Sequence, residues 1–171
     1  GFEIGKSICE DDKLEEANNI LKKAEEKNIK IVLPKDVHVA KEYSNDSEDK
    51  IVQTANIPVD FEGMDIGLKT IETFIDELEG AKTILWNGPL GVCEFDKFRI
   101  GTEKIAESIS KNREAISIVG GGDSVAAIKK LGLENNFSHI STGGGASLEL
   151  LEGKELPGIK VIESKYETDC R

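Results

Sequence analysis

Three glycine-rich segments carry the chemistry that this sequence could do. They are Asn87-Gly88-Pro89-Leu90-Gly91, Gly120-Gly121-Gly122-Asp123-Ser124 and Ser141-Thr142-Gly143-Gly144-Gly145-Ala146. Each begins where a strand-like apolar run ends. Glycine there allows positive φ and removes the Cβ that would keep a ligand off the backbone. Two of the segments run straight into helical patterns, whose free N–H groups and positive dipole end favour anions. One glycine triplet is usually just a tight turn. Two triplets after strands, with a Gly-Pro turn besides, point to a phosphate-bearing ligand.

Asp123 sharpens that reading. A carboxylate at a helix start is ordinarily a cap or a dipole partner. Directly after a phosphate-type loop it would repel the ligand unless a divalent cation bridged them. Mg2+ is held by one or two carboxylates plus substrate phosphates, so Asp123 suits it. Ser124 offers a hydroxyl to the same phosphates. The familiar alternatives fit poorly. No G-x-x-x-x-G-K-[ST] occurs, which excludes a P-loop. Gly120-Gly121-Gly122 lacks the G-x-G-x-x-G spacing of a dinucleotide site, which disfavours a nicotinamide-dependent oxidoreductase.

The elements that must position these loops can be read from periodicity. Helical spacing covers residues 11–28 (Leu14, Ala17, Ile20, Leu21, Ala24), 69–78, 99–111 (Ile100, Ile105, Ala106, Ile109), 123–131 and 146–151. Apolar runs at 30–34, 83–86, 115–119 and 138–141 read as strands. The polar stretch 42–49 reads as an exposed loop, and residues 161–171 as a polar, frayed tail. Strands alternating with helices imply an α/β fold: a doubly wound, mostly parallel sheet with helices on both faces, a Rossmann-like three-layer arrangement. A doubly wound domain usually opens with a strand, and this chain opens with a helix, so an excised piece is expected.

Charge and cysteine content narrow the partners. With 22 basic against 33 acidic side chains the net charge is −11. That argues against nucleic acid or an anionic membrane, both of which are bound through Lys and Arg. A small phosphorylated ligand held by backbone N–H groups remains compatible. Cys9, Cys93 and Cys170 show no metal-ligand spacing, and their odd number suits a reducing cytosol. No signal-peptide pattern opens the chain and no apolar run is long enough to span a bilayer, so a cytoplasmic location is expected.

The motifs also resemble a known family. Trp86-Asn87-Gly88-Pro89, Gly120-Gly121-Gly122-Asp123-Ser124 and the long run from Ser138 to Lys154 look like phosphoglycerate kinase. Leu33-Pro34, Gly63-Met64-Asp65-Ile66-Gly67 and Glu94-Phe95 fall in the expected order, so the resemblance runs from the start of the chain to about Ile162. It implies a partial carboxy-terminal, nucleotide-binding domain over residues 1–162, with 163–171 as a tail. The family transfers a phosphoryl group between 1,3-bisphosphoglycerate and ADP in glycolysis, giving 3-phosphoglycerate and MgATP. Its amino-terminal domain binds the glycerate, its carboxy-terminal domain binds the nucleotide, and the enzyme is a monomer.

Carried over by position, Gly63 and Met64 would line the adenine pocket, and Asn87, Gly88 and Pro89 another wall. Cys93 stands where the family often has Phe. Glu94 would accept hydrogen bonds from the ribose hydroxyls. Gly120, Gly121, Gly122 and Ser124 would meet the nucleotide phosphates, with Asp123 on Mg2+. Gly143, Gly144 and Gly145 would meet the phosphoryl group in transit. Trp86 is expected in the core, and His38 and His139 are not expected to be acid–base catalysts, since this chemistry needs positioning and charge stabilisation. The family's amino-terminal domain and its Gly-Gly-Ala-Lys and Gly-Gly-Gly-Met segments do not occur in these 171 residues. The chain alone is therefore expected to be inactive. The competing reading is a non-catalytic nucleotide-binding module or assembly partner.

Overall fold

The structure, a computed structural model, describes residues 2–141 and 143–169. Thr142 of the third glycine segment, Gly1, Cys170, Arg171 and the side chains of residues 164–169 lie outside the described residues. Compactness divides the chain into two units: Gly1–Glu79 with Leu90–Ser108, and Gly80–Pro89 with Ile109–Arg171.

In the first unit, three short strands of mixed polar and apolar residues build an antiparallel sheet. Strand β1 (Asp36–Ala40) lies between β2 (Asp49–Gln53) and β3 (Glu62–Ile66). Val37 stands opposite both Val52 and Ile66, and a bulge between His38 and Val39 resets the β1–β3 register. Fully buried Val39 packs with Ile57 and Phe61, while Ala40 packs with Met64 and Phe98. Helix α1 (Leu14–Glu26) precedes the sheet and α2 (Leu68–Leu78) follows β3 at once. The N-cap of α2 is Gly67, which has no side chain to offer. Asp36 serves instead, accepting the backbone N–H groups of Lys69 at 3.1 Å and Thr70 at 2.8 Å. Burial pushes this carboxyl up, but the Thr70 hydroxyl and those N–H groups outweigh it and hold Asp36 below its ordinary value.

The second unit holds the parallel sheet. Strand β4 (Thr83–Asn87), β5 (Ile116–Gly120) and β6 (His139–Ser141) pair in that order, with Asn87 opposite Gly120 and Gly120 opposite Ser141. Helix α3 (Ile100–Lys111) leads into it, and α4 (Gly122–Lys130) and α5 (Gly144–Leu151) pack against β5. Helix α6 (Pro157–Asp169) follows. Val119 and Ile128 are fully buried, and Trp86 is 7% exposed with Phe137 tilted against it at 6.4 Å between centroids.

The α/β class and the parallel sheet agree with expectation, and the predicted helices and the strands β4 to β6 fall within a few residues of their places. Three features differ. Residues 30–34 are not a buried strand: Ile31 and Leu33 are 41% and 64% exposed, and the segment pairs with no described strand. An apolar run becomes a strand only where a neighbour takes its backbone groups, and here the Pro34 carbonyl goes to the Thr54 hydroxyl. The antiparallel sheet was not anticipated, because its strands mix polar residues with the apolar ones and so show no clean period. The polar tail is helical as far as Asp169: Pro157 sits at the first helical position, where its missing N–H costs nothing.

Candidate functional site

The glycine segments converge because parallel strands end on the same side of their sheet. Strands β4, β5 and β6 run directly into the loops at Asn87, Gly120 and Ser141. A Cβ built on Gly144 would stand 2.6 Å from the Gly121 nitrogen, 2.8 Å from its Cα and 3.0 Å from Asn87 Oδ1. The same Asn87 oxygen lies 3.3 Å and 3.2 Å from the Cβ positions of Gly120 and Gly121. One side chain therefore touches both triplets, and the two triplets touch each other. Glycine is required at 144 by that approach and at 121 by its φ of +92°.

Gly88 is fixed from both sides. Its carbonyl accepts the Trp86 indole N–H at 2.7 Å, and its own N–H donates to the Ser124 hydroxyl at 2.8 Å. Trp86 is the core residue expected, with an added role as an anchor for the loop. Ser124, assigned from sequence to the phosphates, is fully buried and ties the start of α4 to the loop after β4.

Around these fixed points lies open backbone. Nothing stands within 4 Å of a Cβ placed on Gly88, Gly122 or Gly145. The first intrahelical acceptors are taken by Val125 in α4 and Ser147 in α5, and the preceding N–H groups of each helix have no partner within it. Those donors, with the dipoles behind them, make a surface suited to anionic oxygens. Asp123 is exposed in the first turn of α4 and makes no side-chain hydrogen bond or ion pair with another described residue. Among the described residues no three His, Cys, Asp or Glu gather as a complete metal cage. A lone carboxylate beside open N–H groups fits a cation such as Mg2+, whose remaining ligands would be phosphate oxygens and water.

The first unit holds the other residues singled out from sequence. Gly63 is exposed on β3, and its N–H donates to the Ser7 hydroxyl at 2.9 Å. The Met64 side chain is 3% exposed, packed with Ala40 and Phe98. The Met64 carbonyl accepts the Val92 N–H at 2.9 Å, which ties β3 to the segment carrying Cys93 and Glu94. Cys93 is half-buried with its sulfur 3.4 Å from the Gly91 carbonyl oxygen, and Glu94 is exposed. Tyr43, edge-on to Phe95 at 4.9 Å, has its phenol pushed up by burial and then by the charges of Glu94 and Glu62.

Sequence reasoning missed Asp65 and Thr102. Asp65 is 5% exposed and accepts the N–H groups of Gly101 and Ile66, each at 2.8 Å. Thr102, also buried, accepts the N–H of Leu90 at 2.9 Å and of Gly91 at 3.3 Å. A carboxylate inside an apolar strand, with glycines spaced along the next segment, was the available signal. His38, not expected to be a catalyst, has its Nε2 2.7 Å from Asp49 Oδ2 and its ring edge-on to Phe98.

The geometry of the second unit places it in the class of open parallel α/β folds, where ligands bind at the carboxyl ends of the strands. Comparison with known proteins carries this further. The phosphoglycerate kinase family model matches residues 1–154, and the chain belongs to that family. It is 56% identical over 165 residues to phosphoglycerate kinase from Dictyoglomus turgidum, covering 96% of this chain and 42% of that protein. It is also 56% identical to the Staphylococcus aureus enzyme. Among solved structures, that of phosphoglycerate kinase from Coxiella burnetii superposes with a TM-score of 0.88 at 43% identity, over 94% of this chain and 41% of the other. The Pyrococcus horikoshii enzyme gives a TM-score of 0.74 at 31% identity. The chain thus spans about two-fifths of the length of these relatives. Among the described residues no helix is long and apolar enough to cross a membrane.

Proposed function

We propose that this chain is the nucleotide-binding, carboxy-terminal part of a phosphoglycerate kinase. The parent enzyme would transfer a phosphoryl group between the acyl phosphate of 1,3-bisphosphoglycerate and ADP in the cytoplasm. The single observation behind this reading is the contact of Asn87, Gly121 and Gly144 at the carboxyl edge of the parallel sheet. Three loops that meet there leave the open N–H groups of two helix starts beside one free carboxylate.

In the second unit, the N–H groups at the starts of α4 and α5 hold the phosphates, with Gly122 and Gly145 admitting them where a side chain would intrude. Ser124 and Trp86 keep Gly88 in place. Asp123 would hold Mg2+, which when bound offsets negative charge on the phosphates. By their positions in the family's motifs, Gly63, Met64 and Cys93 are proposed for the base and Glu94 for the ribose hydroxyls. The Gly143-Gly144-Gly145 start of α5 faces the phosphoryl group as it moves, where preorganised donors stabilise developing charge. The glycerate partner and its basic site would come from the rest of the parent.

The test is a titration of the chain with ADP and Mg2+, followed by amide chemical shifts. Gly121, Gly122, Gly144 and Gly145 should move together and saturably, with weak affinity. Amides that stay unmoved at millimolar nucleotide would overturn the reading.

A further inference from the structure

We infer that Asp65 is a positioning residue for the ribose wall: its carboxylate fixes the start of α3, and Thr102 there fixes the segment that presents Glu94. The inference rests on the assignment of Glu94 to the ribose, and extends it to residues that touch no ligand.

The contacts form one continuous chain within the first unit. Asp65 Oδ2 accepts the Gly101 N–H at 2.8 Å, so a β3 side chain caps α3 at its second residue. One residue on, the Thr102 hydroxyl accepts from Leu90 and Gly91. The Cys93 sulfur lies 3.5 Å from that same hydroxyl oxygen. From the other side, the Met64 carbonyl, adjacent to Asp65, holds the Val92 N–H. Residues 90–93 are therefore gripped at three backbone N–H groups immediately before Glu94.

The packing explains why this arrangement admits no slack. A Cβ on Gly91 would stand 2.3 Å from Asp65 Oδ1 and 2.2 Å from the Phe98 carbonyl oxygen. A Cβ on Gly101 would stand 2.3 Å from the same Asp65 oxygen. Two glycines thus exist to let one carboxylate in. A buried carboxylate is costly unless its oxygens are used, and here both accept backbone N–H groups. The neighbouring charges are His38 on β1, which favours the ionised form, and Glu103 on α3, which opposes it. An aliphatic side chain would fill this space at less cost. What the carboxylate adds is direction, because it locks a helix start to a strand.

The experiment measures discrimination between ADP and 2′,3′-dideoxy-ADP, each with Mg2+, by NMR titration of the 171-residue chain and its Asp65→Asn variant. Asparagine keeps the size but can accept only one of the two N–H groups. The wild-type chain should prefer ADP by about tenfold, as expected for hydrogen bonds to a carboxylate. Asp65→Asn should bind both nucleotides with the affinity that wild type shows for dideoxy-ADP. A folded variant that keeps the wild-type preference overturns the inference and leaves the Glu94 assignment standing. Equal weakening of both nucleotides overturns it too, since the effect would then lie outside the ribose. A wild-type chain with no preference overturns the Glu94 assignment and the inference with it. Should Asp65→Asn fail to fold, Thr102→Val and Thr102→Ser decide the matter. The valine must abolish the preference and the serine, which retains the hydroxyl, must restore it; any other pattern overturns the inference.

Discussion

Gly144 packs on Gly121 so closely that a single methyl group on the former would stand 2.6 Å from the backbone nitrogen of the latter. Neither partner in that contact is a flexible side chain, so the backbone itself would have to move. Gly144→Ala should destabilise the chain by roughly 1–3 kcal/mol, the usual cost of overpacking, and abolish nucleotide-induced shifts at Gly121. Gly145→Ala, one residue on and in open space, should leave stability within about 1 kcal/mol of wild type or raise it, because alanine is the better helix former. Urea midpoints of the two variants check this, and equal midpoints would reject the close-contact argument.

Glu94 is exposed, so its removal should separate binding from folding. In a full-length enzyme carrying this segment, Glu94→Ala should weaken nucleotide affinity about tenfold to a hundredfold, the loss of roughly 1.5–3 kcal/mol expected for a hydrogen bond to a charged group. Calorimetric titration on folded protein measures it. An unchanged dissociation constant rejects the ribose role.

Asp123 separates shape from charge. Its side chain makes no bond to another described residue, and Gly121 rather than Asp123 is the N-cap of α4, so Asn in its place removes the charge without removing a cap. If the carboxylate acts through a cation, Asp123→Asn should depress turnover of the full-length enzyme nearly as far as Asp123→Ala. Both should affect turnover far more than nucleotide affinity. Near-normal turnover of Asp123→Asn at saturating Mg2+ would leave only a structural role.

Asp65 should mark the pH dependence of stability. Burial raises its carboxyl from the ordinary 3.8 to about 6, against the pull of the Gly101 and Ile66 N–H groups. Between those two values the folded chain binds a proton that the unfolded chain has released. The contribution is therefore fully present below about pH 4 and is lost as pH rises through 6, a change of roughly 3 kcal/mol. Asp36 and Asp49 work in the opposite sense. Both are lowered, Asp49 by its bonds from Lys97 and then His38, so their contribution is lost only as pH falls below the ordinary carboxylate range. Denaturant midpoints for wild type and Asp65→Asn at pH 4.5 and 7 read the Asp65 effect. A difference between the two pH values that survives in the variant would assign it to another group.

The sequence by itself determined the parallel part of the fold and the loops at its edge. Strands β4, β5 and β6 are short apolar runs, and the helices between them keep a helical period. The glycine segments sit at their junctions, so local pattern and tertiary role coincide. What the tertiary structure alone decided is the use of polar groups across long separations. Ser124 holds Gly88 from 36 residues away, Asp65 holds Gly101 at the same separation, and Asp36 caps α2 from 33. No local window contains both partners of such a bond. The antiparallel sheet and the helix over the tail were hidden for related reasons. Mixed polar strands show no clean period, and propensity in a charged segment is a weak signal until Pro157 is seen as a helix start. Conversely, residues 30–34 have the composition of a strand, but a strand is defined by its neighbour, and the described chain places none beside them.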